Sequence, residues 1–170
     1  MYLSNSEAPE NPLDYIKVTR EKNSICNMFR AIEEEAEHEV LSLITNPLAM
    51  NLSNLVNENS TQISSMKRGI VYKSIYEADM LLDETYMRSI EFFASEGEKV
   101  RVCDIVPLKI YIFDEKNVMF TLEDVYHCEK SLTSIIIKHK DLAKGLKLIF
   151  LSYWNNAITL EQFKKEKDLS

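Results

Sequence analysis

From Asp14 to about Glu37, apolar side chains recur as Tyr15, Val18, Ile25, Phe29, Ile32 and Ala36, at steps of three, four and seven. That spacing puts them on one stripe and predicts a single long amphipathic helix. Lys22 interrupts the stripe where an apolar residue is expected. It reads either as a register device or as the solvated end of an ordinary helix. The stripe has two uses, packing on its own domain or zipping against a second copy. The reading favours a homodimer formed through Ile25, Phe29 and Ile32.

Beyond residue 38 the period changes. Val40–Thr45 is a short apolar run closed by Asn46-Pro47, which suits a buried strand. Residues 46–67 are rich in Asn and Ser and read as a loop, with a helical turn or short helix at Ala49–Val56. Gly69–Glu77 predicts a strand, Asp83–Glu96 a helix ending at Gly97, and Lys99–Ile105 a further strand. Such a strand-helix-strand step implies a crossover and parallel pairing. After Pro107, LKIYIFD and VMFTLED flank the polar turn Glu115-Lys116-Asn117 and predict a hairpin. Residues 131–139 add a β-branched run. Leu142, Leu146, Ile149, Tyr153 and Ala157, with Phe150 and Trp154 beside them, then mark a long closing helix. Residues 1–13 and 161–170 read as polar tails.

A chain of 170 residues with 45% hydrophobic and 28% charged residues fits one folded core. Its net charge of −7 argues against a surface that grips nucleic acid by broad phosphate neutralisation. There is no apolar run of membrane-spanning length and no secretory leader pattern, so a cytoplasmic protein is expected. Cys26, Cys103 and Cys128 lack metal-site spacing and read as reduced thiols. His38, His127 and His139 form no HExxH pair, and Gly69, Gly97 and Gly145 make no phosphate-cradling loop. Neither a metal nor a cofactor is expected.

The candidate chemistry lies in Pro107-Leu108-Lys109-Ile110-Tyr111-Ile112-Phe113-Asp114. Its spacing resembles the HxKxxxxD element of the phospholipase D superfamily with proline in the histidine position. The resemblance implies a nucleophilic histidine, a lysine that neutralises phosphoryl oxygens and an aspartate that orients or stabilises. Proline has no nucleophilic nitrogen, so the site is expected to be catalytically dead. The Gly69 strand start, the run Gly97–Val102, the Lys109/Asp114 pair and Phe150, Trp154 and Ala157 on the last helix extend the likeness. Together they resemble the C-terminal effector domain of TrmB-like and LuxR-like transcription regulators. What the resemblance implies is an α/β fold, a phospholipase-D-like mixed sheet flanked by helices. A linker helix at 14–37 would precede a regulatory domain at 38–160, and a helix-turn-helix reader would lie N-terminal to both. The stretch before residue 38 has no room for such a reader.

On this reading Lys109 and Asp114 contact a small ligand, with Arg101 and Lys73 on neighbouring strands as further candidates. An Arg101–Asp114 ion pair with a solvated Lys73 is the structural alternative, and Tyr153 and Trp154 read as core. The function expected is a non-catalytic, ligand-sensing or partner-binding regulatory domain in prokaryotic transcription control. The alternatives are an antagonist that heterodimerises with a helix-turn-helix regulator, and a phosphodiesterase or nuclease of the phospholipase D superfamily.

Overall fold

The computed structural model describes residues 11–46, 54–124 and 131–168. Among the described residues, eight strands form one mixed sheet: β1 (Ile16–Thr19), β2 (Glu39–Ile44), β3 (Val71–Glu77), β4 (Lys99–Cys103), β5 (Lys109–Phe113), β6 (Asn117–Asp124), β7 (Ser131–Lys138) and β8 (Ile158–Thr159). Their order is β1-β7-β6-β5-β2-β3-β4-β8. The pairs β2–β3 and β3–β4 are parallel, as the strand-helix-strand step requires, and β5–β6 is the expected antiparallel hairpin.

The helices are α1 (Lys22–Glu35), α2 (Leu55–Glu58), α3 (Ser60–Lys67), α4 (Glu84–Ser95), α5 (Lys140–Asn156) and α6 (Leu160–Glu166). Asp83 caps α4 by accepting from the Tyr86 backbone N–H at 3.0 Å. Gly97, at φ 120°, supplies the left-handed turn that releases the chain into β4.

Alternation of side chains splits the sheet into two faces. On one, Ile25, Phe29 and Ile32 of α1 pack with Val40, Tyr72, Phe113, Met119 and Ile136. Tyr76 packs there with Ile90 and Phe93 of α4 and Phe163 of α6. On the other, α5 sets Ala143 and Phe150 against Leu41, Leu43, Ile75, Ile110, Ile112 and Val118. The result is a sheet between helical layers.

Three expectations are corrected. The helix expected over 14–37 begins at Lys22, because Pro12–Tyr15 forms a 3-10 turn and Ile16–Thr19 pairs antiparallel with β7. Ile16 and Val18, which the helical stripe absorbed in part, belong to a period of two. The helix that remains turns Ile25, Phe29 and Ile32 into the chain's own core, at 3%, 9% and 6% exposure. They present no free stripe to a second copy. Residues 60–67, expected as loop, form α3. The tail expected at 161–170 instead contributes α6, set by a capping box between Thr159 and Gln162 and anchored by buried Phe163. The turn expected at Ala49–Val56 falls largely outside the described residues, as do Cys128 and His127. Among the described residues, no helix is long and apolar enough to cross a membrane.

Candidate functional site

Strands β2, β3, β5, β6 and β7 read mostly as apolar, yet on the α1/α4 face they carry a seam of polar side chains. Ser42 pairs in register with Ser74 on β3 and with Tyr111 on β5. One step along the strands, Lys109 pairs with Thr121 and Thr121 with Ser134. The Thr121 and Ser134 hydroxyls lie 3.1 Å apart. Tyr72, Tyr76, Tyr86 and Tyr111 line the same region, and the helices close it into a cavity of about 70 Å³.

Lys109 is the cation of this cavity. It is 4% exposed, and burial pushes its ammonium down to about 8. The acid of the cavity is Glu98, in the approach to β4. Burial pushes its carboxyl up to about 7, opposed by hydrogen bonds from Ser74 and Tyr76. Both hydroxyls donate to Oε1, that of Tyr76 at 3.1 Å. The Gln62 amide also acts on Glu98, but it closes no bond of sound geometry. Glu98 Oε2 and Gln62 Nε2 are both buried without a hydrogen-bond partner among the described residues. Behind the cavity wall, Tyr72 donates to Glu33 of α1 at 3.0 Å. Burial, the dominant cause, pushes Glu33 up to about 7 as well.

Of the residues expected to act together, only Lys109 faces this cavity. Asp114 lies at the opposite end of β5, about 16 Å away at the rise of a strand. There it accepts from the backbone N–H groups of Glu37, His38 and Glu39 at 2.7, 2.8 and 2.8 Å. Burial raises its carboxyl, but those bonds outweigh it and hold the group below the usual carboxylate range. Asp114 therefore clamps the connection from α1 into β2. Its φ of 51° starts the β5–β6 turn, a conformation that a short acidic side chain tolerates.

Arg101 and Lys73 face the other side of the sheet. The Arg101 guanidinium lies 4.7 Å from the Trp154 ring centre and donates to the Trp154 carbonyl at 2.5 Å, while Lys73 lies 5.8 Å from the same ring. Trp154 in turn stacks on buried Phe150 at 5.6 Å. These cations hold α5 to the sheet and do not converge with Lys109, and the alternative Arg101–Asp114 ion pair does not form.

Pro107 is exposed in the bend before β5. The bend is pinned by Glu77, which accepts from the Val106 N–H at 2.8 Å and from the Thr45 hydroxyl at 2.9 Å. Where the superfamily pattern has an imidazole, this bend offers no nitrogen able to attack. Chemically, the cavity can hold a small molecule between a cationic end and an acidic end that titrates near neutrality. Among the described residues, no group of three or more metal-ligating side chains is gathered.

The sequence reading missed Glu98, Glu33, Gln62, Ser42 and Ser74. The available signal was a serine at the centre of two otherwise apolar strands, VLSLI and YKSIY, where burial requires a partner for the hydroxyl.

This architecture is a phospholipase-D-like fold. Comparison with family models and with curated proteins gives no match, but solved structures match over most of the chain. The chain is similar to TrmBL2, an archaeal chromatin protein whose structure shows a mode of DNA binding. The TM-score is 0.68 and the identity 23%, over 92% of this chain and 57% of that one. This chain thus spans little more than half the length of TrmBL2. Two further structures match over nearly their whole length. NucT from Helicobacter pylori has a TM-score of 0.70 at 13% identity, covering 85% of this chain and 98% of that one. Nuc, a phospholipase D family member from Salmonella typhimurium, has a TM-score of 0.67 at 13% identity, covering 85% and 96%.

Proposed function

We propose that this chain is the non-catalytic, ligand-sensing phospholipase-D-like domain of a TrmB-type transcription regulator. The observation that carries the reading is the pairing of an exposed Pro107 with a buried Lys109. The position that would attack phosphorus cannot do so, while a cation that is costly to bury stays against a cavity whose walls are mostly apolar. An active site has no use for the second without the first, whereas a binding site does. The likeness to TrmBL2 supports the regulatory context. The acidic charge of −7 supports a role for this domain away from the phosphates of DNA.

The antagonist reading, in which α1 pairs with a relative's linker helix, loses its support because the apolar stripe of α1 is spent in the core. The phosphodiesterase reading draws on the near-complete overlap with Nuc and NucT. One assay separates it from ours. Purified protein is incubated with bis(4-nitrophenyl) phosphate and with a single-stranded oligonucleotide, beside Lys109→Met and Pro107→His variants. The regulatory reading expects no turnover from any of them. Hydrolysis by the wild-type chain that Lys109→Met abolishes would replace it with the enzymatic one.

A further inference from the structure

Helices α1, α3 and α4 wall the cavity over the sheet, and they are seated unequally. α1 rests on Ile25, Phe29 and Ile32, and α4 on Tyr86, Ile90 and Phe93, all buried. α3 and its N-cap give Asn59 and Gln62 to the cavity wall, but the buried residue of α3 is a serine, Ser65, with Ile63 and Met66 only partly buried beside it. An element that buries so little apolar surface opens most readily. Both of its ends allow that movement. The Asn59 side chain makes no capping bond, and Gly69, at φ 96° with open space where a side chain would stand, follows the helix.

What seats α3 is polar. The Gln62 side chain acts on Glu98 as its hydrogen-bonding neighbour. Arg68 donates to the Ser65 hydroxyl at 3.0 Å, Ser65 acts on Tyr72, and Tyr72 donates to Glu33. Both routes out of α3 therefore end on a buried carboxyl. Glu98 accepts from Ser74 and Tyr76 of β3 and faces Tyr86 of α4 and Tyr111 of β5, and none of the described groups that act on it is a cation. Glu34 and Glu98 act against the charge on Glu33, and Arg30 favours it. Lys109 lines the same cavity from β5. Protonated, the two carboxyls suit this setting. Ionised, they place two mutually repelling charges where neither has water, and lifting the most weakly seated helix hydrates them.

We infer that α3 is a proton-gated lid: it lies closed over the sheet while Glu98 and Glu33 are protonated, and lifts at its Asn59 end as they ionise, which opens the Lys109 cavity. The inference rests on the ligand-sensing reading and supplies its regulation, an entrance shut in acid and open at neutral pH. The sign follows from linkage. Both carboxyls stand at about 7 with the lid closed and return toward 4.5 once hydrated, so opening is favoured progressively between those values and levels off above 7.

The test is amide hydrogen exchange of the full chain from pH 5 to pH 8, without ligand and corrected for the pH dependence of intrinsic exchange. A detached helix of 8 residues does not keep its hydrogen bonds in water, so lifting exposes the Met66, Lys67 and Arg68 amides. Their protection is expected to fall about tenfold or more between pH 5 and pH 7 and to level off above it. It should also lie below that of Ile110 and Ile112 in β5, which report opening of the whole sheet. Glu98→Gln should shrink the fall, and Glu33→Gln combined with it should abolish it. The wild-type profile stands even where a variant fails to fold. Protection in α3 that equals that of β5 at every pH, that is lower but independent of pH, or that falls unchanged in the double variant would overturn the lid. Because no ligand is used, such a failure leaves the ligand-sensing reading standing. Hydrolysis in the phosphodiester assay would remove that reading while α3 still lifts.

Discussion

Tyr72 on β3 donates its hydroxyl proton to Oε1 of Glu33 on α1 across 3.0 Å, with 1% of Glu33 and 3% of Tyr72 exposed. On the same side of the sheet Ser74 and Tyr76 donate to Glu98. Two carboxyl groups are thus held by hydroxyls where charge is poorly tolerated, and Glu98 is among the causes that raise Glu33.

A pH dependence follows from that arrangement. Both carboxyls rise from 4.5 to about 7 on folding, so the native chain binds more protons than the unfolded one between those values. Stability is therefore greatest below about pH 4.5 as far as these two groups are concerned, and falls as pH rises through 7. Each group contributes at most about 3 kcal/mol to that fall. Urea denaturation at pH 5 and pH 8 should give a lower midpoint at pH 8. Glu33→Gln and Glu98→Gln should each flatten the difference. An unchanged slope in both variants would mean that these carboxyls do not titrate across folding.

Asp114 makes the opposite case. Its carboxylate is favoured in the fold by three backbone N–H donors, so its contribution is present above the unfolded pKa and lost as pH falls through the folded one. Asp114→Asn keeps the shape but removes the charge and one of the accepting oxygens. The expected cost is about 1.5–3 kcal/mol, read as a drop in urea midpoint at pH 7 that shrinks in acid. Binding at the Lys109 end of the cavity should survive, because Asp114 lies at the far end of β5. Loss of binding with unchanged stability would restore the two residues to one site.

Truncation in α1 separates core from interface. Phe29 meets the rings of Tyr111 and Phe113 edge-on at 4.8 and 5.7 Å, and Ile32 packs in the same cluster. Phe29→Ala should cost about 3–5 kcal/mol and Ile32→Ala about 2–5 kcal/mol. Sedimentation velocity on the folded fraction should show the oligomeric state of the wild type. A variant that keeps wild-type stability yet changes its association state would identify a dimer surface instead.

Much of the sheet was legible because its strands announce themselves by β-branched runs between turn residues, and Asp83 and Gly97 mark the ends of α4. The first strand was not legible. Ile16 and Val18 suit both a helical stripe and an alternating strand, and only the free edge of β7 decides between them. Of the candidate site, Lys109 was found through its spacing from Pro107. Asp114 was misplaced because spacing along a strand says nothing about which end of the strand a cavity occupies. Glu98 and Glu33 were missed for a different reason. They are acidic residues beside solvated ones, Glu96 in one case and Glu34 and Glu35 in the other, and only tertiary packing singles them out.

Lys109 offers the sharpest test of whether the cavity is kept for binding. Burial lowers its ammonium from 10.5 to about 8, so at neutral pH the fold carries a charge in a place that disfavours it. The sign is that of a depressed group: its contribution to stability is fully present above pH 10.5 and is lost as pH falls through 8. Replacing it with methionine, of similar length and apolar, removes that cost. Lys109→Met should therefore melt at or above the wild-type temperature at pH 7, with a gain of up to about 3 kcal/mol, and should lose its advantage as pH rises past 8. If the cavity is a binding site, any binding of a small anion that the wild type shows at its Lys109 end is lost in the same variant. Stability and function then move in opposite directions at one residue, as expected of a group retained for what it holds. A Lys109→Met chain that is several kcal/mol less stable at pH 7 would instead make Lys109 a structural member of the polar seam with Thr121 and Ser134.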